Sequence, residues 1–192
     1  MRVFPELVVG RDDDFEAGPW RVREGSTRRG GASCDLAQRV IEVPLGDGET
    51  ARAVRAHELM HARVSPFGLE WAELFPDAAP RALECAEELR TNTLLARLGF
   101  AVDLLVDGSE RAAGRRLAED GDWSQAVCFW LAVIGTGAER AYLAGVRAAR
   151  PTWVGALRAV RTRALAIMSS PTALLASTAR DERGVPRGYA RH

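Results

Sequence analysis

A chain of 192 residues, 47% apolar and 27% charged, is long enough to bury a core and ordinary for a single soluble globular domain. Its 26 basic and 26 acidic side chains cancel, which argues against nucleic acid or an anionic membrane as partner. The three cysteines, Cys34, Cys85 and Cys128, form no CxxC pair. The sequence therefore indicates neither a disulfide framework nor a cysteine zinc site, and the three read as reduced thiols, mostly in the core.

In chain order, residues 2–9 (RVFPELVV) read as a short strand and the polar, Gly-rich residues 10–33 as a long loop. Residues 38–44 (QRVIEVP) alternate and are β-branched, a strand ended by Pro44. After the turn LGDGE a helix runs from about Thr50 to Val64 and stops before Ser65-Pro66. Residues 66–80 form an aromatic, proline-containing connector with room for one short helix. A second helix spans about Ala79 to Leu98, stopped by Gly99. Further helices are expected over Ser109–Glu119, Trp123–Ile134, Ala138–Ala149 and Pro151–Met168, and Ser170-Pro171 opens a last short one. Asp122 and Gln125 give the helix from Trp123 a capping-box start, and Pro151 lies at a first-turn position.

The expected fold is α+β, mostly α: a small N-terminal strand region, one site-bearing helix and a C-terminal helical bundle. Residues 1–178 would form one domain, with residues 38–98 around the site and 100–178 as the helical body. Residues 179–192 read as a flexible tail. No window approaches the ~20 apolar residues of a membrane span. The start MRVFPELVVGRDDD lacks the features of a signal peptide, so a cytoplasmic location is expected.

The chemistry concentrates in His57-Glu58-Leu59-Met60-His61. Residues i and i+4 share one helix face, so both imidazoles can reach one tetrahedral zinc ion. A Glu directly after the first His can hold a zinc-bound water and take its proton as general base. Ala53, Ala56, Met60 and Val64 share that face, which turns the imidazoles toward the protein interior. A third ligand is needed. His192 ends the tail, so the source is the next helix, ALECAEELRTNTLL, whose Glu84, Glu87 and Glu88 lie on one stripe; the competing reading is a solvated acidic face.

These residues resemble the HExxH zincin metallopeptidases of the gluzincin type, in which a Glu on the following helix binds zinc. Glu88-Leu-Arg-Thr-Asn92 matches their E-x-x-A-N/D pattern, with Thr91 where Ala is common. The resemblance implies Glu88 as third ligand and Asn92 as the group that steadies a zinc-binding His. In a competing register, Glu87-Glu88-Leu89-Arg90 looks like the E-D-x-R stretch of metallopeptidase-like proteins associated with von Willebrand A domains, which makes Glu87 the ligand. The spacing also resembles ImmA/IrrE-type peptidases of the cytoplasm. The strand Gln38–Val43 stands where zincins carry the edge strand that pairs with an extended substrate. The likeness covers about residues 38–98.

The expected function is zinc-dependent hydrolysis of peptide bonds, with one Zn2+ per chain and a protein or peptide substrate, and no nucleic-acid or membrane partner. The alternative is a non-catalytic zincin-like binding or regulatory module, and a third reading is a helical protein with a chance motif. Tyr142, Tyr189 and several Arg are candidates to stabilise the transition state. Arg147, Arg150, Arg158, Arg161 and Arg163 read as a solvated surface, and Trp123, Phe129 and Trp130 as core. Trp71 and Phe75 are candidates to line the cleft, and Cys85 adjoins the ligand helix.

Overall fold

The computed structural model describes residues 21–24, 32–35, 38, 40–44, 46, 48–65 and 76–169. The strand expected at 2–9, most of the aromatic connector with Trp71 and Phe75, the helix opened at Ser170, the tail, Tyr189 and His192 lie outside the described residues. Among those described, a three-stranded sheet precedes six α-helices. The α+β, mostly α expectation holds.

Strand β1 is Arg21–Glu24, β2 is Ser33–Asp35 and β3 is Val40–Val43, in the order β1-β3-β2. β1 runs parallel to β3, pairing Arg21 with Val40, and β2 runs antiparallel, pairing Cys34 with Ile41. The turn between β2 and β3 is held by Asp35, whose Oδ1 accepts the Gln38 N–H at 2.8 Å. Two sequence expectations change here. The stretch 10–33 contains a strand, because Arg21–Glu24 finds a ladder on β3. And β3 is the central strand, with both its edges occupied, so it cannot be the strand that pairs with a substrate.

Helix α1 is Glu49–Val64 and follows β3 closely. Ile41 and Val43, two residues apart and therefore on one face of the strand, bury against Ala62, with Cys34 and Leu59 alongside. The fully buried Arg55 ties the helix to the preceding loop by donating to Pro44 O at 3.2 Å and Gly46 O at 2.7 Å. Glu49 in the first turn suits the positive end of the helix dipole.

Helix α2, Pro80–Arg97, begins with proline at a position whose N–H would be unpaired in any helix. It is the spine between two cores. Leu94 and Leu95 pack on Ala56 and Met60 of α1, while Leu89 enters the core of the helical body. That double burial fixes the rotation of α2 against α1. A 3-10 turn at Val102–Leu104 leads into α3 (Glu110–Asp120), α4 (Trp123–Val133), α5 (Ala138–Ala149) and α6 (Trp153–Met168). Asp122 caps α4 as its position suggests, accepting the Gln125 N–H at 3.0 Å.

The helical body is organised around Trp130 and Tyr142, both fully buried and stacked with centroids 5.8 Å apart. Each polar tip finds a carbonyl: Trp130 Nε1 donates to Leu157 O at 2.7 Å and the Tyr142 hydroxyl to Ala126 O at 2.8 Å. Side chains of this kind contribute roughly 1.5–3 kcal/mol each on burial. α3 and α5 approach so closely that a Cβ at Gly114 or Gly145 would strike backbone atoms of the partner helix. Trp123 departs from the core expectation: it is 37% exposed and packs edge-on against Trp153. Of the basic cluster, Arg150 lies over the Trp153 ring and Arg161 pairs with Glu139 at 2.6 Å. No helix among the described residues is long and apolar enough to cross a membrane.

Candidate metal centre

The motif sits on α1 with its imidazoles facing α2. Ala53, Ala56 and Met60 are buried on the same side, which places His57 and His61 against protein. Their Nε2 atoms lie 3.1 Å apart. Glu88 reaches both from α2, with Oε2 3.2 Å from His57 Nε2 and Oε1 3.2 Å from His61 Nε2. A tetrahedral ion with bonds of about 2.0–2.1 Å sets its ligand atoms about 3.3–3.4 Å apart, so the three side chains have the spacing of one such face. Among the described residues, His57, His61 and Glu88 form the only group of three metal-ligating side chains this close.

The hydrogen bonds around His61 set its tautomer. Ser65 Oγ donates its one proton to Glu87 Oε1 at 2.5 Å. Its contact with His61 Nδ1, at 2.9 Å, therefore has the ring as donor. The Nδ1 atom carries hydrogen, and the Nε2 lone pair is left for the cluster. There it faces a carboxylate oxygen, and two acceptors 3.2 Å apart need a cation between them. In the metal-free molecule a proton fills this place. Burial alone would lower the pKa of His61, but the charge and hydrogen bond of Glu88, with Glu58 and Glu87, lift it to about 9. Burial would likewise raise Glu88, yet His61 and His57 outweigh it and hold its carboxyl well below the usual range. The site is built for positive charge.

Glu87 and Glu88 are adjacent but do different work. Glu87 is buried and takes two bonds from Arg90, Nε to Oε2 at 2.7 Å and Nη2 to Oε1 at 2.5 Å, besides the bond from Ser65. Its oxygens support His61 through Ser65, whereas those of Glu88 face both imidazoles. Thr91 Oγ1, fully buried, adds a long 3.4 Å contact to His61 Nδ1. Asn92 is buried too, but its Nδ2 donates to Ala132 O on α4 at 3.0 Å, and its Oδ1 has no hydrogen-bond partner among the described residues. The group steadying a histidine here is Ser65, backed by Glu87 and Arg90. The sequence marked Ser65 only as a helix stop and Arg90 only as the last residue of the competing E-D-x-R register, although Ser65 falls one turn after His61 and Arg90 three residues after Glu87, spacings at which helical side chains meet.

Glu58 lies at the junction of two lobes of a cleft. The larger, about 790 Å3, is bounded by His57, Glu58, Glu88 and Asn92 and by apolar side chains such as Val54, Phe129 and Val133. The smaller, about 420 Å3, lies on the His61 side between β2 and α2. Ala32 borders both. Burial raises the pKa of Glu58; His57 and His61 pull it back only in part, and Glu88 adds to the rise. A carboxylate so placed is a strong base for its type. Glu84 borders the smaller lobe but takes no part in the His57, His61 and Glu88 group; it is exposed and paired with Arg81 at 3.1 Å. No Tyr or Arg lines either lobe among the described residues. Tyr142 cannot serve the site, since its hydroxyl is spent inside the helical body and burial pushes its pKa up. Cys85 is buried, and none of the three cysteines is in a disulfide.

Comparison with known protein families, with curated proteins and with solved structures returns no match.

Proposed function

We propose that this chain is a zinc-dependent hydrolase of peptide bonds, a single zincin-like metallopeptidase domain of the gluzincin type. The observation that carries the reading is the convergence of His57 Nε2, His61 Nε2 and the Glu88 carboxylate within one tetrahedral edge, with the unpaired base Glu58 beside them. When bound, zinc supplies Lewis acidity toward a carbonyl and lowers the pKa of water toward ~7. His57, His61 and Glu88 would hold it, and two N donors with one O donor are a set that zinc accepts. Ser65 and Glu87 keep His61 in the tautomer that offers Nε2. Glu58 takes a proton from the attacking water and returns it to the leaving nitrogen, so no covalent intermediate with the protein is required. The two lobes seat the peptide on either side of the bond being cut, and the larger falls within the usual size range of ligand pockets. Three cysteines outside any disulfide suit a cytoplasmic protein.

One observation favours a second reading, a metal-binding module that cuts nothing: the described cleft lining contains no Tyr or Arg to stabilise a developing oxyanion. Elemental analysis of the purified tag-free protein separates the possibilities, with Glu88→Ala and Glu87→Ala beside wild type. About one zinc per chain in wild type, lost in Glu88→Ala and retained in Glu87→Ala, is the expected result. Chelator-sensitive cleavage of a peptide library then decides between enzyme and module. No zinc in wild type after zinc is supplied would sink both.

A further inference from the structure

The larger lobe carries more negative charge than the metal site uses. Besides Glu58 and Glu88 it is lined by Asp107 and Glu110, which stand just before and at the start of α3. Glu110 is 5% exposed, and its Oε1 accepts the Asp107 N–H at 2.8 Å. Its Oε2 has no donor among the described residues and, unlike the sealed Oδ1 of Asn92, is open to the lobe. Ser109, through its hydroxyl and its N–H at 2.7 Å, holds the Asp107 carboxyl below the usual range, so that group is ionised at neutral pH. Neither carboxylate has an ion pair among the described residues, and no Arg or Lys among them lines the lobe. A bound zinc ion would offset Glu58 and Glu88 but not this second pair, which lies outside the ligand group. No third ligating side chain joins Asp107 and Glu110 among the described residues, so they make no metal site of their own. Glu58, 9% exposed and taking no hydrogen bond from any described side chain, opens on the same lobe. A nearly buried carboxylate with no cation to meet it is costly. The wall beside these acids is apolar and includes Val54, Phe129 and Val133.

We infer that the larger lobe takes a basic side chain of the substrate, Lys or Arg, next to the bond that is cut, with its cationic head at Glu110 and Asp107 and its methylene stem on Val54, Phe129 and Val133. The inference rests on the metallopeptidase reading and names the class of residue that the cleft selects. Lys and Arg have both parts that such a lobe matches, an apolar stem and a charged head with several N–H donors. Hydrogen bonds from a cation to a carboxylate are roughly twice as strong as neutral ones. A neutral or acidic residue in the same place leaves Glu110 buried without a cation, and that penalty adds to the selectivity.

The test uses the full-length, zinc-loaded protein and two sets of hydroxamates that place a side chain X on opposite sides of the metal. One set is acetyl-X-hydroxamate; the other is a succinyl hydroxamate bearing X next to its amide carbonyl. X is the side chain of Lys, Arg, norleucine or Glu. In wild type, Lys or Arg should bind at least about tenfold tighter than norleucine in one of the sets, with Glu the weakest. In Glu110→Gln, whose amide oxygen can still accept the Asp107 N–H, that advantage should fall below about threefold. Asp107→Asn should shift it the same way and serves as the second variant if Glu110→Gln does not fold. Norleucine equal to or better than both bases in both sets overturns the inference on wild type alone. So does an advantage that survives both variants, because the cationic head then lies elsewhere. A tenfold gain from a free amino terminus on the norleucine compound, where Lys gives none, overturns it in favour of a site for a terminal ammonium. If no hydroxamate binds the zinc-loaded protein, the lobe is no substrate site and the inference falls. If the protein holds no zinc, it is the metallopeptidase reading that has failed, and the inference falls with it.

Discussion

Replacing Ser65 by Ala removes one oxygen from the centre of a buried chain, and its effect can be worked out in advance. Ser65 is 1% exposed. Its Oγ accepts from His61 Nδ1 at 2.9 Å and donates to Glu87 Oε1 at 2.5 Å. The contact of the ring with Thr91 Oγ1, at 3.4 Å, is too long to replace it with a good bond. Glu87 loses one donor but keeps both bonds from Arg90, so most of the cost falls on His61. A buried group left short of a partner costs about 1–3 kcal/mol, which lowers the melting temperature of a domain of this size by about 2–12 °C. The ring also loses the partner that fixes its tautomer, a change that weakens metal binding about 10–100-fold. Calorimetry without zinc and competition for zinc against a chromophoric chelator measure the two effects separately, and Ser65→Thr, which keeps the hydroxyl, should recover most of the zinc affinity. If zinc affinity in Ser65→Ala stays within twofold of wild type while melting falls, the chain from His61 to Arg90 serves the fold and not the ligand.

Glu58→Gln should retain zinc and lose peptide hydrolysis by at least about 100-fold, measured as turnover beside metal content. Because burial raises the pKa of Glu58, its ionised form is disfavoured in the folded protein at neutral pH. The metal-free Glu58→Gln protein should thus melt no lower than wild type in calorimetry. Zinc at about 100 times its dissociation constant should stabilise wild type by about 2.7 kcal/mol, a rise that a chelator reverses and that Glu88→Ala does not show. Gly145→Ala places a Cβ against Arg111 O and Arg115 N and should cost about 1–3 kcal/mol or more. Gly155→Ala, in α6 with nothing within 4 Å of the added carbon, should instead stabilise by roughly 0.5–1 kcal/mol in urea unfolding.

His57, Glu58 and His61 were readable because the chemistry requires a fixed helical spacing, and the helices because their starts and stops carry Pro, Gly and Asp at the positions where such residues act. Glu87 and Glu88 could not be separated by the same means. Neighbouring residues point about 100° apart around a helix, and the rotation of α2 is set by contacts far along the chain: Leu89 into the helical body, Leu94 and Leu95 onto Ala56 and Met60. Ser65 looked like a helix stop, which it is, since it caps α1; that its hydroxyl also meets Glu87 depends on a residue 22 positions on. Strand β1 was hidden for a similar reason. Its sequence, RVRE, has no apolar alternation to mark it, and it forms because a parallel partner lies 19 positions away at Val40. The same pairing overturned the role given to β3, since a strand becomes central only when neighbours cover both its edges.

The position of Glu58 is what weighs most between a catalytic and a purely structural metal centre. Structural zinc sites close the coordination shell with four protein ligands, whereas catalytic sites leave one position open. Here three side chains converge, no fourth His, Cys, Asp or Glu among the described residues joins them, and the Glu58 carboxylate lies at the junction of two cleft lobes. That carboxylate takes no hydrogen bond from any described side chain, and burial opposes its charge. A module that kept the metal only for its fold would be served as well or better by Gln or Leu at this position, which removes the desolvation cost. Glu58 is thus a local loss of stability placed beside His57, His61 and Glu88, and under the proposed function a general base is the role that makes use of it. Turnover and melting temperature of Glu58→Gln should then move in opposite directions: activity falls while the metal-free fold holds or gains. If both are unchanged, Glu58 is a tolerated buried carboxylate without a catalytic role, and the catalytic reading loses its main support.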